Sequence, residues 1–185
     1  TLSNPVFLAS GTSGYADELG EFMNLGTIGG LITKSITLLP RPGNSTPRIV
    51  ETDAGMLNAI GLANIGVEVF IQEKVPILES LQTTVFVNVA GQSISEYLAV
   101  IDRLAPLKAI DGFELNISCP NVKEGGITFG TDPAQVEQIT RQAKKSSGSK
   151  PLMVKLTPTV TDITATAQAA VQGGADALSL VNTFT

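Results

Sequence analysis

Short, almost continuously apolar runs alternate along the chain with longer stretches in which apolar residues recur at helical spacing. An apolar run without alternation is typical of a strand that is covered on both faces. Strands are therefore predicted over residues 6–10, 27–34, 83–91, 112–118, 151–158 and 175–183. Helices are predicted between them, over residues 16–26, 64–81, 93–107, 131–145 and 161–174.

Local signals support several of these helices. Ser93 and Glu96 have the spacing of a capping box, and Asp132 stands directly before Pro133, as an N-cap stands before a first helical proline. Pro76 lies inside the helix predicted over 64–81 and is expected to kink or break it.

The strand–helix order predicts a parallel α/β sheet with right-handed crossovers. Two architectures remain open: a doubly wound open sheet, which 185 residues could complete, and a (β/α)₈ barrel, for which about 250 residues is typical. A Pro- and Gly-rich insertion, residues 35–63, follows the second strand, and its residues 47–51 could form a small strand. As a barrel, residues 1–185 would form a single domain without its last two strands and the phosphate-binding loops after them.

Composition narrows the classes of function. The chain is 43% hydrophobic, its net charge is −5, and it carries no basic cluster, which argues against a nucleic-acid partner. Its lack of His excludes Ser-His-Asp and Cys-His catalysis and His-based metal sites, so no metal site is expected. A single Cys excludes an intrachain disulfide and fits a reducing, cytoplasmic setting. No apolar run reaches the roughly 18 residues of a membrane span.

Polar residues cluster where the predicted strands finish. In both candidate architectures, the C-terminal ends of parallel strands form the face that binds ligands. Asparagine carries donors and acceptors that suit a planar heterocycle, although an asparagine at a strand end can also cap a turn or helix. The strand-end residues are Ser10, Lys34, Asn88, Asn116, Ser118, Cys119, Lys155, Asn182 and Thr183.

Cys119, the single cysteine, stands between an apolar run and Pro120, with Gly125, Gly126 and Gly130 close behind. A lone cysteine is commonly a small buried hydrophobe. A thiol on a loop that can close over a ligand could instead accept a proton at cytoplasmic pH. Both interpretations remain open on the residues alone.

The segment "NISCPNVKEGGITFGTDP", residues 116–133, closely resembles the active-site loop of class 1 dihydroorotate dehydrogenases. The stretches "ITKSITLLPRPGNSTPRIVET" and "GMLNAIGLANIG" resemble the second strand–helix region of that family. The shorter stretches "VNVAG", "PLMVKLTP" and "ADALSLVNT" occur in the family's order, so the resemblance covers essentially the whole chain.

The resemblance implies a (β/α)₈ barrel that holds FMN at its C-terminal mouth and oxidises dihydroorotate to orotate in pyrimidine biosynthesis. The stretch after the cysteine is similar to that of the NAD-linked subtype B, whose partner subunit carries FAD and a 2Fe-2S cluster. A cytoplasmic homodimer without a membrane span is expected from the family. Because the FMN-phosphate loops follow the missing strands, we expect residues 1–185 alone to bind FMN weakly.

The resemblance also implies roles for individual residues. Cys119 matches the base that removes the C5 proton while C6 passes hydride to the flavin. The matches to FMN contacts are Ser10, Lys34, Ser35, Asn88, Asn116, Lys155 and Val181. The matches to substrate contacts are Lys34, Asn58, Ala59, Ile60, Gly61, Leu62, Asn116, Asn121, Asn182 and Thr183.

Other functions compete with this one. The fumarate-linked subtype of class 1 is the nearest alternative. A Schiff-base aldolase barrel could use Lys34 or Lys155 as its nucleophile, although lysines at strand ends also extend to solvent. A non-catalytic flavin- or nucleotide-binding module is a further possibility. The pyrimidine-reducing domain of dihydropyrimidine dehydrogenase is less similar, because its loop differs after "NISCP".

Overall fold

The protein forms a parallel sheet with helices on one face. The structure, a computed structural model, describes residues 2–118 and 129–183. The strands of the parallel sheet are β1 (Phe7–Leu8), β2 (Gly30–Ile32), β5 (Thr84–Val89), β6 (Gly112–Asn116), β7 (Leu152–Lys155) and β8 (Ala177–Ser179). An antiparallel hairpin, β3 (Ile49–Thr52) and β4 (Gly55–Asn58), is inserted between β2 and β5.

The helices lie between successive strands, as the alternating pattern predicts. They are α1 (Gly66–Val69), α2 (Val75–Leu78), α3 (Ile94–Leu104), α4 (Pro133–Ser147) and α5 (Ile163–Gln172). A π-helical segment, Phe70–Lys74, joins α1 to α2, and short 3₁₀ turns occupy Leu25–Thr27 and Phe129–Thr131. Two predicted N-caps are present. The Ser93 side chain accepts a hydrogen bond from the backbone N–H of Glu96, and the Asp132 side chain accepts one from the backbone N–H of Ala134.

Strand order distinguishes the two architectures that the sequence leaves open. The sheet runs β1-β2-β5-β6-β7-β8, all in parallel pairs. A doubly wound sheet reverses its order at a switch point, and the described strands show no such reversal. A sheet in which each strand lies beside the next one along the chain is the arrangement of a barrel. The α/β fold class is therefore confirmed as part of a (β/α)₈ barrel.

The pleat of the strands separates an apolar face from a polar one. In β6, Phe113 and Leu115 belong to the hydrophobic core that includes helices α3 and α4, whereas Glu114 and Asn116 point to the opposite, inner face. All four are buried. Strand β7 repeats the alternation, because Val154 is in the core and Lys155 follows it on the inner face. The inner face thus carries the polar residues that the sequence places at strand ends.

The irregularity that Pro76 predicts is present as the π-helical segment before α2. Proline lacks the N–H that would continue the α-helical hydrogen bonds. Just before it, the N–H of Val75 bonds to the carbonyl of Phe70, five residues back. A wider π turn accommodates the proline without ending the helix, so Gly66–Leu78 runs on with a local distortion.

The helix predicted over residues 16–26 is wrong. These residues form successive turns, in which Leu19 bonds to the Ala16 carbonyl and Phe22 bonds to the Leu19 carbonyl. Ala16 has a φ of 80°, which breaks helical geometry. Phe22, an apolar residue of this stretch, is 81% exposed. The small strand predicted over 47–51 is confirmed as β3, although its partner β4 was not predicted.

An ion pair ties α4 to the start of β8. Lys144 Nζ lies 2.6 Å from Asp176 Oδ2, and the Leu152 N–H donates to the same oxygen at 2.7 Å. Partial burial acts to raise the pKa of the Asp176 carboxyl, but the hydrogen bonds from Lys144 and Leu152 and the charge of Lys144 outweigh it. The pKa therefore lies below its ordinary value of 3.8.

We predict that Asp176→Asn destabilises the fold at neutral pH and that this effect shrinks in acid. A lowered folded-state pKa contributes stability that is fully present above the unfolded-state pKa and is lost as pH falls through the folded-state value. Chemical denaturation of the full-length protein and the variant at pH 7 and near pH 3 measures it. Asp102→Asn, at an exposed carboxylate of α3, is the control. An equal difference at both pH values would contradict the prediction.

Candidate active site

Most of the predicted site residues lie at the C-terminal rim of the parallel sheet. Ser10 follows β1, and Lys34 and Ser35 follow β2. Asn88 lies next to the end of β5, while Asn116 and Lys155 are the last residues of β6 and β7. Val181, Asn182 and Thr183 follow β8. These residues thus lie at one edge of the sheet, and their roles in binding stay predictions.

Asn116 connects three strands of this rim. Its Nδ2 lies 3.5 Å from Ser35 Oγ, and its Oδ1 accepts from Asn182 Nδ2 at 3.2 Å and from the Ser118 N–H at 3.3 Å. The Tyr97 hydroxyl of α3 donates to the Asn116 carbonyl at 2.6 Å. A side chain with its donors and acceptors used in this way has a fixed orientation. Asn116 is therefore a rigid part of the site.

A second cluster, the Asn88–Glu114–Lys155 cluster, lies on the inner face. Asn88 Nδ2 donates to Glu114 Oε1 at 2.5 Å, and Lys155 Nζ lies 4.0 Å from the same oxygen. The Glu114 side chain is 0% exposed and that of Lys155 is 13% exposed. The register places Asn88 beside Glu114 and Asn116 beside Lys155.

Two polar atoms of this cluster have no hydrogen-bond partner among the described residues: Asn88 Oδ1 and Glu114 Oε2. A buried polar atom that is left unsatisfied costs about 1–3 kcal/mol. Such atoms at the ligand-binding face of a barrel indicate a place for a polar ligand. The cluster offers that ligand an amide acceptor beside an ammonium group.

The loop after β2 brings Lys34 to the same rim. The Lys34 N–H donates to the Gly14 carbonyl at 2.8 Å, and the Ile36 N–H donates to the Asn88 carbonyl at 2.9 Å. The Lys34 side chain is half-buried. The backbone of the loop is thus tied on one side to the loop after β1 and on the other to β5.

The segment predicted to bind substrate, residues 58–62, lies at the end of the hairpin. Asn58 and Ala59 are exposed, and the Ala59 N–H donates to the Arg48 carbonyl at 2.8 Å. Gly61 and Leu62 have positive φ angles of 70° and 58°. For leucine this conformation is unfavourable and is held by its surroundings; Asn64 Nδ2 donates to the Leu62 carbonyl at 2.9 Å. Within the described chain, no hydrogen bond joins residues 58–62 to the rim.

The remaining predicted residues are placed less centrally or lie outside the described residues. Val181 is half-buried against the core, and the Asn182 N–H donates to the Leu156 carbonyl at 2.9 Å. Thr183 is exposed, with its N–H bonded to Asn182 Oδ1 at 2.8 Å. Cys119 and Asn121 fall within residues 119–128, outside the described ranges.

Glu114 is the site residue that the sequence analysis missed. The apolar pattern of "GFELNIS" predicts one buried strand and gives no separate role to the acid in it. The signal was available, because Glu114 and Asn116 are two residues apart and must face the same side of a strand. A charged residue in phase with a predicted ligand-binding amide indicates a functional cluster.

Neither a metal-binding cluster nor a membrane-spanning helix occurs within residues 2–118 and 129–183. In that part of the chain, no group of at least three His, Cys, Asp or Glu side chains could hold a metal ion. None of the helices found there has the length and apolar character needed to cross a membrane.

The chain is similar to several known proteins. The family model described as dihydroorotate dehydrogenase matches residues 1–185. A protein of Geobacter sp. (strain M21), named dihydroorotate dehydrogenase B (NAD(+)), catalytic subunit, is 52% identical over 184 residues, covering 100% of this chain and 60% of that protein. A Pelobacter propionicus (strain DSM 2379) protein of the same name is 53% identical with the same coverage.

A solved structure supports the fold. The crystal structure of DHODH from Eimeria tenella in complex with ferulenol superposes with a TM-score of 0.77 at 23% identity, covering 98% of this chain and 57% of that one. The chain thus spans about three-fifths of the length of the curated relatives it matches. The family match over residues 1–185, together with relatives about half identical, shows that the chain belongs to the dihydroorotate dehydrogenase family.

Proposed function

We propose that the chain is part of the catalytic subunit of an NAD-linked dihydroorotate dehydrogenase, which oxidises dihydroorotate to orotate in pyrimidine biosynthesis. The names of the relatives, 52% and 53% identical, support the reaction and the NAD-linked subtype over the fumarate-linked one. The observation that carries the proposal is the Asn88–Glu114–Lys155 cluster on the inner face of the sheet, in which two buried polar atoms have no hydrogen-bond partner among the described residues.

The residues present fit the heterocyclic end of FMN. Isoalloxazine offers ring N–H and carbonyl groups along one edge, and the unpartnered Asn88 Oδ1 supplies an acceptor next to the Lys155 ammonium. Bound FMN would supply the two-electron chemistry by accepting hydride from C6 of the substrate. A lysine at the N1/O2 edge would stabilise the negative charge that develops there. Ser10, Lys34, Ser35, Asn116 and Val181 complete the proposed contacts at this rim.

The proposed substrate site adds Cys119 and the amides around it. Cys119 would remove the C5 proton, a role supported by the resemblance of residues 116–133 to the family's loop. Asn116 and Asn182 are already hydrogen-bonded to each other at 3.2 Å, so they would present their remaining polar groups from fixed positions. Lys34, Thr183, Asn121 and residues 58–62 are the other proposed substrate contacts.

We also propose the wider organisation of the protein. Residues 1–185 would belong to one FMN-binding barrel domain, in which two further strands and their loops bind the phosphate. The relatives are named catalytic subunits, which implies a partner; FAD and a 2Fe-2S cluster would lie on that electron-transfer subunit. A homodimer and a cytoplasmic location remain predictions from the resemblance.

The proposed reaction predicts that dihydroorotate bleaches the flavin absorbance of the full-length protein under anaerobic conditions, since reduced flavin loses the visible band. Stopped-flow absorbance measures the rate. A Schiff-base aldolase would instead be trapped on Lys34 or Lys155 by borohydride with a carbonyl substrate. Flavin-free protein, or flavin that dihydroorotate leaves oxidised, would contradict the proposal.

Cys119→Ser is predicted to slow flavin reduction by dihydroorotate at least about 100-fold, because serine is a much weaker base near neutral pH. The oxidised flavin spectrum should be unchanged, because the thiol is proposed to act on the substrate and not to bind FMN. Reduction of the same variant by dithionite, which needs no base, is the internal control. An unaltered rate with dihydroorotate would exclude Cys119 as the base and favour a non-catalytic flavin module.

Lys155→Gln is predicted to weaken stabilisation of reduced flavin, with the rate of reduction by dihydroorotate falling about tenfold or more. The lost positive charge should also lower the midpoint potential of the flavin. Lys145→Gln, at an exposed lysine in the last turn of α4, removes the same charge far from the rim and is the matched control. Equal effects of the two substitutions would show that Lys155 does not act locally on the flavin.

A further inference from the structure

Glu114 is a buried acid that makes none of the proposed contacts to FMN or substrate. Its carboxylate is fully buried on the inner face of β6, yet the only positive group near it among the described residues is Lys155, 4.0 Å away. Burial of a charge without close pairing is unfavourable, and retaining it there costs stability. The groups that the Glu114 carboxylate contacts are therefore the place to look for its role.

The contacts of Glu114 fix two side chains at once. Because a carboxylate only accepts hydrogen bonds, Asn88 must turn Nδ2 toward it, and the 2.5 Å contact does so. That orientation leaves Asn88 Oδ1 buried and without a hydrogen-bond partner among the described residues. The same Glu114 oxygen lies 4.0 Å from the ammonium group of Lys155 on the neighbouring strand β7. Glu114 thus sets both the acceptor and the cation that a ligand meets.

We propose that Glu114 is a positioning residue, whose buried carboxylate orients Asn88 and Lys155 and offsets part of the Lys155 charge, so that it sets how strongly the site favours reduced over oxidised flavin. This inference depends on the proposed function, because it assumes that FMN binds at this rim. Glu114 acts through its two neighbours and not by touching the reacting atoms.

Charge and geometry can be separated by substitution. Glu114→Gln keeps a side-chain oxygen that can accept from Asn88 but removes the negative charge. The Lys155 charge is then no longer offset, and reduced anionic flavin is favoured. We expect the ratio of affinities for reduced and oxidised FMN to rise about tenfold, which raises the two-electron midpoint potential by about 30 mV. Glu114→Asp keeps the charge, so its potential should stay near that of the wild type while FMN affinity falls.

The experiment uses the full-length holoprotein and measures the midpoint potential by reduction against a reference dye, together with FMN affinity on reconstitution. Glu137→Gln is the matched control, because Glu137 pairs with Arg141 on the outer surface of α4. Its potential should equal that of the wild type. The effect of Glu114→Gln should also shrink at least threefold in a Lys155→Gln background, because the inferred effect depends on the lysine charge.

The outcomes separate the two proposals. An unchanged or lowered potential in Glu114→Gln, or an equal shift with and without Lys155, overturns the inference while leaving the proposed function intact. If Glu114→Gln does not retain FMN, the Glu114→Asp potential decides: a value near wild type supports the inference, and a shift as large as about 30 mV overturns it. A wild-type protein that binds no FMN overturns the proposed function and the inference with it.

Discussion

The contacts of the buried Glu114 carboxylate with Asn88 and Lys155 link this fold to its candidate site. Alternation along a strand places residues that are two positions apart on the same face. Glu114 therefore lies on the same face of β6 as Asn116, the last residue of that strand. Parallel pairing then aligns β5 and β7 on either side with their C-terminal ends at the same level. Any slip of one residue would move the polar set into the apolar core.

The sequence alone predicts the strands and helices whose positions are determined by residues close together along the chain. The strands are continuous apolar runs, and the helices α3 and α4 begin at side-chain caps, Ser93 and Asp132, that act within three residues. The turns at residues 16–26 were mistaken for a helix because apolar spacing alone does not register the positive φ of Ala16. The choice between a barrel and an open sheet depends on which strands are neighbours, a long-range property that hydrophobic periodicity does not encode and that only the family resemblance indicated.

The sequence predicts which residues lie at the candidate site, but not the contacts between their side chains. The strand-end rule identified Lys34, Asn88, Asn116, Lys155 and Asn182 as one group, because all parallel strands finish at the same edge. It could not reveal that Asn116 bonds to Asn182, or that Asn88 turns its nitrogen toward Glu114, since those contacts join residues far apart in sequence. The role of Cys119 remains a prediction, because it lies outside the described residues.

Two unsatisfied atoms of the Asn88–Glu114–Lys155 cluster, Asn88 Oδ1 and Glu114 Oε2, also connect ligand binding with stability. Each costs about 1–3 kcal/mol while it lacks a partner, which is a sizeable part of the 5–15 kcal/mol by which a typical domain is stable. A ligand that bonds to Asn88 Oδ1 binds only the folded chain and therefore stabilises it by mass action. The unsatisfied polar atoms of the inner face weaken the fold, and a ligand that satisfied them would strengthen it.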